Sequence, residues 1–218
     1  MSRHFIPYGS RAAVILLAVA AICSPCVARA QGDPTAIAAA KADSARYPYT
    51  AADVHFMSAM IGHHAQAIVI SGWAPMHGAS SSIRTLAERI INAQRDEIAS
   101  MQQWLRDRRQ PVPEADTMGM AMTMNMTGAD HEMLMPGMLT EAQMKQLDEA
   151  RAKDFDRLFL RFMIQHHKGA VTMVKQLFDT YGAGQDQTVF KFASDVNTDQ
   201  TTEIARMERM LFTLTFSQ

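Results

Sequence analysis

The feature that most constrains this chain is a pair of sequence blocks, each of which occurs twice. The first block, DVHFMSAMIGHHAQAI, begins at Asp53, and its counterpart begins at Asp156, 103 positions later. The second block begins at Gln94 and recurs from Gln200, 106 positions later. The change in separation falls between the two blocks of each half, where a turn can absorb it. The order of the blocks therefore indicates one helical hairpin that is present twice.

Each block has the periodicity of an amphipathic helix. Asp53 and Met60 share one face at about 3.6 residues per turn, and no proline interrupts the chain from Thr50 to Trp73. Thr50, followed three residues later by Asp53, predicts an N-terminal capping box, and Thr140 with Gln143 marks the start of another helix. Four such helices bury their apolar stripes in an all-α four-helix bundle, built from two repeated hairpins with a methionine-rich connecting loop.

The same signals divide the chain into segments. We expect a flexible N-terminal segment at 31–50, a first hairpin at 51–110, a methionine-rich linker at 111–139 and a second hairpin at 140–218, with 51–218 forming one domain. The helix after Thr140 is either short or the start of a longer one that ends near Gly182. The last helix is expected from about Asp186 to Thr213.

Residues 1–30 have the pattern of an export signal. Arg3 and Arg11 give a positive start, an apolar run follows, and Ala28 and Ala30 form a small-residue cleavage site after Ala30. The apolar run is shorter than the roughly 20 residues that a membrane-spanning helix needs. We therefore expect a periplasmic or secreted protein with no membrane insertion after cleavage.

Composition excludes several classes of function. The chain has 21 Lys+Arg and 22 Asp+Glu, so no basic surface for nucleic acid is indicated. Both cysteines, Cys23 and Cys26, lie in the export signal, so the exported chain has neither a disulfide nor a thiolate. No serine lies in a recognisable nucleophile motif.

The repeated blocks place metal-ligating side chains on shared helix faces. In each half a methionine and an aspartate precede a His-His pair, and the partner helix carries a glutamate. The candidate ligands on the bundle are His63, His64, His166, His167, Met60, Met163, Asp53, Asp156, Glu97 and Glu203. We expect them to converge near the bundle axis, because the repeat implies a pseudo-twofold axis. A carboxylate buried without a counter-charge costs several kcal/mol, so the repeated acids need a cation or a buried ion pair beside them.

Core packing is the alternative explanation for these side chains. A lone histidine on an apolar face is usually a core residue, and methionine at helical spacing usually fills space. For Met101 and Met207 taken alone, packing is the better explanation. An adjacent histidine pair preceded by methionine and aspartate, present twice, is better explained by metal binding.

The linker between the hairpins is unusually rich in methionine. Eight methionines fall between Met118 and Met138, where Leu134 is the one other strongly apolar side chain. Thioether sulfur is a soft, neutral ligand that favours Cu(I) or Ag(I). The candidate ligands here are Met118, Met120, Met122, Met124, Met126 and His131. A flexible low-complexity linker and a set of sacrificial, oxidant-absorbing methionines remain as alternatives.

The segments MPGMLTEAQMKQLDEARAKDFDRLFLRFMIQHHKGAV and DVHFMSAMIGHHAQAI resemble the bacterial domain-of-unknown-function family 305. That ferritin-like family of four-helix bundles is often exported and includes periplasmic copper-binding proteins of the CopM type. The resemblance covers roughly Ala51 to Leu211 and implies a role in copper binding and tolerance. It implies as ligands Met60, His63, His64, Met163, His166 and His167. The halves differ at Gly62 against Gln165 and at Ala65 against Lys168, so we expect half-sites of unequal affinity.

Three functions follow from these patterns. The leading one is a non-enzymatic, exported protein that binds copper, preferably Cu(I) with Cu(II) left open, for sequestration, transfer or tolerance. Its partners would be the metal ion and a copper-transfer protein, and its oligomeric state is left open. The second is a ferritin-like di-metal oxidase that uses Asp53, His64, Glu97, Asp156, His167 and Glu203. The third is a helical interaction module without metal.

Overall fold

The structure, a computed structural model, describes Thr35, residues 49–115 and residues 134–216. The chain divides into a unit at Met1–Ala39, of which Thr35 alone is described, and a unit at Ala40–Gln218. The second unit contains α1 (Ala51–Gly72), α2 (Ser81–Asp107), α3 (Glu141–Glu149), α4 (Ala152–Asp179) and α5 (Gln187–Phe216). The described residues form helices and no strand, which confirms the predicted all-α bundle. None of these helices is both long and apolar enough to cross a membrane.

The helices begin where the polar side chains cap them. At α1 the Thr50 hydroxyl accepts from the N–H of Asp53, while the Asp53 carboxylate accepts from the N–H of Thr50 at 2.6 Å. This confirms the predicted capping box at Thr50, and Thr140 and Gln143 form the same reciprocal pair at the predicted helix start of α3. At α5, the carboxylate of Asp186 accepts from two N–H groups in the first turn, at 3.0 and 3.1 Å.

The helix after Thr140 is the shorter of the two expected alternatives. It ends at Glu149, and the chain then passes through Ala152, a non-glycine residue with φ of 51°. The N–H of Ala152 donates to the carbonyl of His77 at 2.8 Å. This bond ties the break between α3 and α4 to the turn between α1 and α2.

Two hydrophobic clusters lie at opposite ends of the bundle. The helices pack as two hairpins, α1 with α2 and α4 with α5, and α1 also packs along α4. One cluster joins the first half of α1 to the second half of α4, and the other joins the remaining halves, so these two helices are antiparallel. Between the clusters lies the central polar layer, with Glu97 and Glu203 at its edge and six buried members: His63, His64, His166, His167, Gln94 and Gln200.

A strap formed by residues 134–139 crosses α1 and α4 next to this layer. The Gln66 side chain accepts from the N–H of Leu139 at 2.7 Å and donates to its carbonyl at 3.1 Å. On α4 the strap lies against Gly169, where a Cβ atom would stand 1.9 Å from the carbonyl oxygen of Pro136. Gln66 and Gly169 occupy equivalent positions of the repeat, so the strap is seated where the two halves differ.

Candidate metal centre

Two histidine rings face each other at the contact between α1 and α4. The ring centroids of His63 and His166 are 3.9 Å apart, with the planes tilted by 38°. We call His63 and His166 the inner pair, and His64 and His167 the outer pair. The ring centroids of His64 and His63 are 6.4 Å apart, and those of His167 and His166 are 6.3 Å apart. All four side chains are fully buried, which places four imidazoles in the middle of the bundle.

The inner pair of histidines contacts backbone carbonyls. The Nε2 atom of His166 lies 2.9 Å from the carbonyl oxygen of His63. The Nε2 atom of His63 lies 3.0 Å from the carbonyl oxygen of Pro136 in the strap. A carbonyl oxygen only accepts hydrogen bonds, so each of these Nε2 atoms carries the proton.

The outer pair of histidines contacts carboxylates. His64 Nε2 and Glu97 Oε2 are 2.7 Å apart, and His167 Nε2 and Glu203 Oε2 are also 2.7 Å apart. The second contact has hydrogen-bond geometry, whereas the first has the distance without the alignment. A carboxylate beside Nε2 orients an imidazole and makes its other nitrogen a stronger ligand.

The remaining ring nitrogens are the exceptional atoms of the layer. With Nε2 protonated, Nδ1 of a neutral imidazole is an acceptor with a lone pair. The Nδ1 atoms of His63, His64, His166 and His167 are all buried without a hydrogen-bond partner among the described residues. Buried polar atoms are nearly always paired, so these four unpaired lone pairs are the candidate ligand atoms of the layer.

Burial keeps the inner histidines neutral. Desolvation lowers the pKa of His63 from 6.5 to about 3, and the neighbouring His64 adds to the effect. Desolvation also lowers the pKa of His166 well below its usual value, helped by His63. At neutral pH no proton competes for these two lone pairs.

Two glutamines complete the layer, and sequence analysis did not single them out as site residues. Gln94 and Gln200 are 2% and 4% exposed. Both amide atoms of Gln94, and the amide oxygen of Gln200, have no hydrogen-bond partner in the parts of the chain that the structure describes. Both are the first residue of the second repeated block, and this repetition could have identified them as site residues. An amide side chain is costly to bury, so packing alone rarely explains its presence in both halves.

The methionines of the two halves lie on opposite sides of the layer. Met60 packs with Met101 in one cluster, and Met163 packs with Met207 in the other. All four are fully buried, which confirms the core position of Met101 and Met207. Met60 and Met163 each lie one helical turn before a histidine pair, so each is next to the layer along its own helix.

Asp53 and Asp156, two of the candidate ligands from the sequence, contact loop amides in the structure and not the histidines. Asp53 accepts from the N–H of Gly184 at 2.7 Å, and Asp156 accepts from the N–H of Ser80 at 3.1 Å. Each aspartate therefore holds the interhelical loop of the other hairpin. Ten or eleven residues at about 1.5 Å per residue separate each from its histidine pair by about 16 Å along the helix.

The carboxylates and histidines do not gather into one cluster. Within residues 49–115 and 134–216, no three His, Asp or Glu side chains form a group that could hold an ion. The predicted linker ligands Met118, Met120, Met122, Met124, Met126 and His131 lie outside the described residues. The donors that the described part provides at the layer are imidazole nitrogens, with Met60 and Met163 one helical turn away, a set that fits a soft ion better than a hard one.

The comparisons with known proteins identify the family. The model of the family described as domain of unknown function DUF305 matches residues 53–211. A DUF305 fragment from Deinococcus radiodurans is 30% identical, with a TM-score of 0.59, over 75% of this chain and 97% of that one. A DUF305 protein from Streptomyces coelicolor is 27% identical, with a TM-score of 0.62, over 75% of this chain and 94% of that one.

A third similar structure is CopM in its Cu(II)-bound form. It is 28% identical, with a TM-score of 0.55, over 73% of this chain and 95% of that one. CopM has also been solved in Cu(I)-bound and Ag-bound forms. A search of curated proteins found no match. Over residues 53–211, this chain belongs to the DUF305 family.

Proposed function

We propose that this protein binds a soft metal ion in the central polar layer, and that Cu(I) is the preferred ion. The observation that carries the proposal is the set of four buried Nδ1 atoms that have no partner among the described residues. Met60 and Met163 would supply thioether sulfur from the two sides, and Glu97 and Glu203 would orient the outer imidazoles. Bound copper would supply soft Lewis acidity to neutral nitrogen and sulfur donors.

Copper is favoured by the charge and softness of the donors. Imidazole and thioether ligands are neutral and suit Cu(I), whereas Mg²⁺ and Ca²⁺ prefer several oxygen ligands. The two glutamates at the edge each contact one histidine, which leaves few free oxygens. The similar structures of CopM with Cu(II), Cu(I) and Ag support the same choice of ion.

The cellular role that we propose is non-enzymatic storage or transfer of copper outside the cytoplasm, contributing to copper tolerance. The export pattern of residues 1–30 supports this location, and the similar Streptomyces protein is named as secreted. The methionine-rich run from Met118 to Met126, with His131, would capture ions and exchange them with a transfer protein. Thioethers suit that role because they bind without losing a proton.

The ferritin-like oxidase is the weaker candidate. Its proposed ligand set needs Asp53 and Asp156 beside the histidines, and both carboxylates instead accept from loop amides. The module without metal is weaker as well, because it gives no partner to the buried Nδ1 atoms.

The test is anaerobic Cu(I) competition against a chromophoric chelator, using the chain from residue 31 onward. We expect tight binding by the unaltered protein. Met60→Leu combined with Met163→Leu should weaken it at least tenfold, because leucine keeps the volume and removes the sulfur. Met76→Leu is the matched control, since Met76 is 73% exposed and far from the layer in sequence.

Two results would count against the proposal. A protein that holds no Cu(I) against the chelator overturns it outright. Iron bound in place of copper, with iron-dependent oxidation, would move the function to the oxidase. Circular dichroism of each variant shows whether a loss of binding reflects a loss of fold.

A further inference from the structure

A cavity of about 350 Å³ lies outside the central polar layer, where the strap meets the outer ends of α1 and α4. Its walls are mainly apolar and include Phe56 and Leu177. Three side chains with metal-ligating atoms also line it, and each comes from a different element: His55 from α1, Met173 from α4 and Met135 from the strap.

The positions of these residues along the helices are consistent with one level of the bundle. His55 lies eight residues before His63 on α1, and Met173 lies seven residues after His166 on α4. Because the two helices are antiparallel, both displacements run the same way from the facing rings. At about 1.5 Å per residue they amount to about 12 and 10 Å.

The histidine is exposed and the methionines are nearly buried. His55 is exposed and makes no hydrogen bond or ion pair with another described residue. Met135 and Met173 are each 6% exposed. The cavity is thus lined by one exposed histidine and two nearly buried methionines.

Packing alone does not account for this donor set. The repeat places Leu158 at the position equivalent to His55, and Ile70 at the position equivalent to Met173. The other half of the bundle therefore fills the same two places with side chains that carry no donor atom. The donors occur on the side where the strap crosses.

We infer that His55, Met135 and Met173 form a second, solvent-accessible site for a soft monovalent ion, Cu(I) or Ag(I). One imidazole and two thioethers give a neutral three-ligand set of the kind such ions prefer. Pro136 lines the cavity and its carbonyl also contacts His63, so the strap touches both this outer site and the layer. The inference rests on the proposed function, because both sites take the same class of ion.

Silver titration followed by NMR tests the site directly. The chain from residue 31 onward, labelled with ¹³C at the methionine methyl groups, would be titrated with Ag(I). We expect the methyl signals of Met135 and Met173 and the ring signals of His55 to shift together. Signals of Met57 should move less, because this methionine belongs to the same core cluster but does not line the cavity.

Variants measure the contribution of the site to binding. His55→Ala and Met173→Leu should each weaken one equivalent of Cu(I) at least tenfold against the chelator, and Met57→Leu should not. Unchanged affinity and stoichiometry in both variants, with unmoved signals of His55 and Met173, overturns the outer site while leaving the layer intact. Absence of all Cu(I) binding by the unaltered protein overturns the proposed function and this site together.

Discussion

The imidazole of His166 donates a hydrogen bond to the backbone carbonyl of His63 across the contact between α1 and α4. The repeat would pair His63 with the carbonyl of His166 in return. Instead, His63 donates to Pro136 at 3.0 Å, so the strap replaces one half of a symmetric arrangement. The two halves of the candidate site therefore differ in what restrains their histidines.

The first prediction concerns pH. Burial lowers the pKa of His63 to about 3 and that of His166 well below its usual value, whereas an unfolded histidine titrates near 6.5. Below pH 6.5 the unfolded chain therefore binds protons that these two native side chains do not. The free energy of unfolding of the metal-free protein should therefore decrease as the pH is lowered below 6.5. The slope should approach about 1.4 kcal/mol per pH unit for each of the two histidines.

Urea unfolding at pH 7.5, 6.5 and 5.5 measures this slope. Most carboxylates stay ionised over that range, so histidines dominate it. Nitrogen-15 NMR should show both rings as neutral Nε2–H tautomers throughout. Titration of either ring near pH 6.5 in the folded protein would contradict the prediction.

The second prediction compares two helical glycines. Gly169→Ala places a methyl group against the carbonyl of Pro136, so the strap must shift and stability should fall by about 1–3 kcal/mol. Gly72→Ala is the matched control, since a Cβ there meets nothing within 4 Å. It should be neutral or stabilise by up to about 1 kcal/mol through helix propensity. Equal effects of the two variants in urea unfolding would argue against a tightly seated strap.

The third prediction separates structure from metal binding at Asp156. Its carboxylate accepts from the N–H of Ser80, so Asp156→Asn weakens a charge-assisted bond and should cost about 1–2 kcal/mol of stability. Under conditions where the variant is fully folded, its Cu(I) affinity should stay within twofold of that of the unaltered protein. A tenfold loss of affinity in the folded variant would return this aspartate to the ligand set.

The fourth prediction concerns the carboxylates beside the outer histidines. Glu203→Gln should lower Cu(I) affinity by about 10–100-fold, because the carboxylate fixes the orientation and basicity of His167. Glu97→Gln should have the smaller effect, since its contact with His64 lacks hydrogen-bond alignment. Chelator competition on both variants checks the order. No loss in either would show that the outer histidines need no carboxylate to bind the ion.

The helices were largely predictable because their causes are local. The capping residues Thr50 and Thr140 act on N–H groups within three residues, and the apolar periodicity of each helix is visible in its own sequence. The fold class then follows from the number of amphipathic helices. The histidine pairs could likewise be singled out, since their repetition needs no knowledge of tertiary structure.

The contact of Asp53 with the second hairpin could not be read from the same pattern. A projection down the helix axis places Asp53 on the face of His64, but it discards the axial rise that separates them by about 16 Å. Besides its capping contact with Thr50, Asp53 accepts from Gly184, which is distant in sequence and lies in a loop without periodicity. The strap was missed for the same reason, although the exchange of Gln66 for Gly169 between the halves marked its seat.

The reciprocal bonds of the two aspartates carry a consequence for the origin of the chain. Asp53 closes the loop of the second hairpin, and Asp156 closes the loop of the first. Each hairpin thus carries both a carboxylate and a loop amide to receive one. Two identical hairpins would therefore have every group needed to form both contacts. A symmetric dimer of single hairpins is a chemically complete ancestor for this fold. Fusion of two gene copies would preserve each bond.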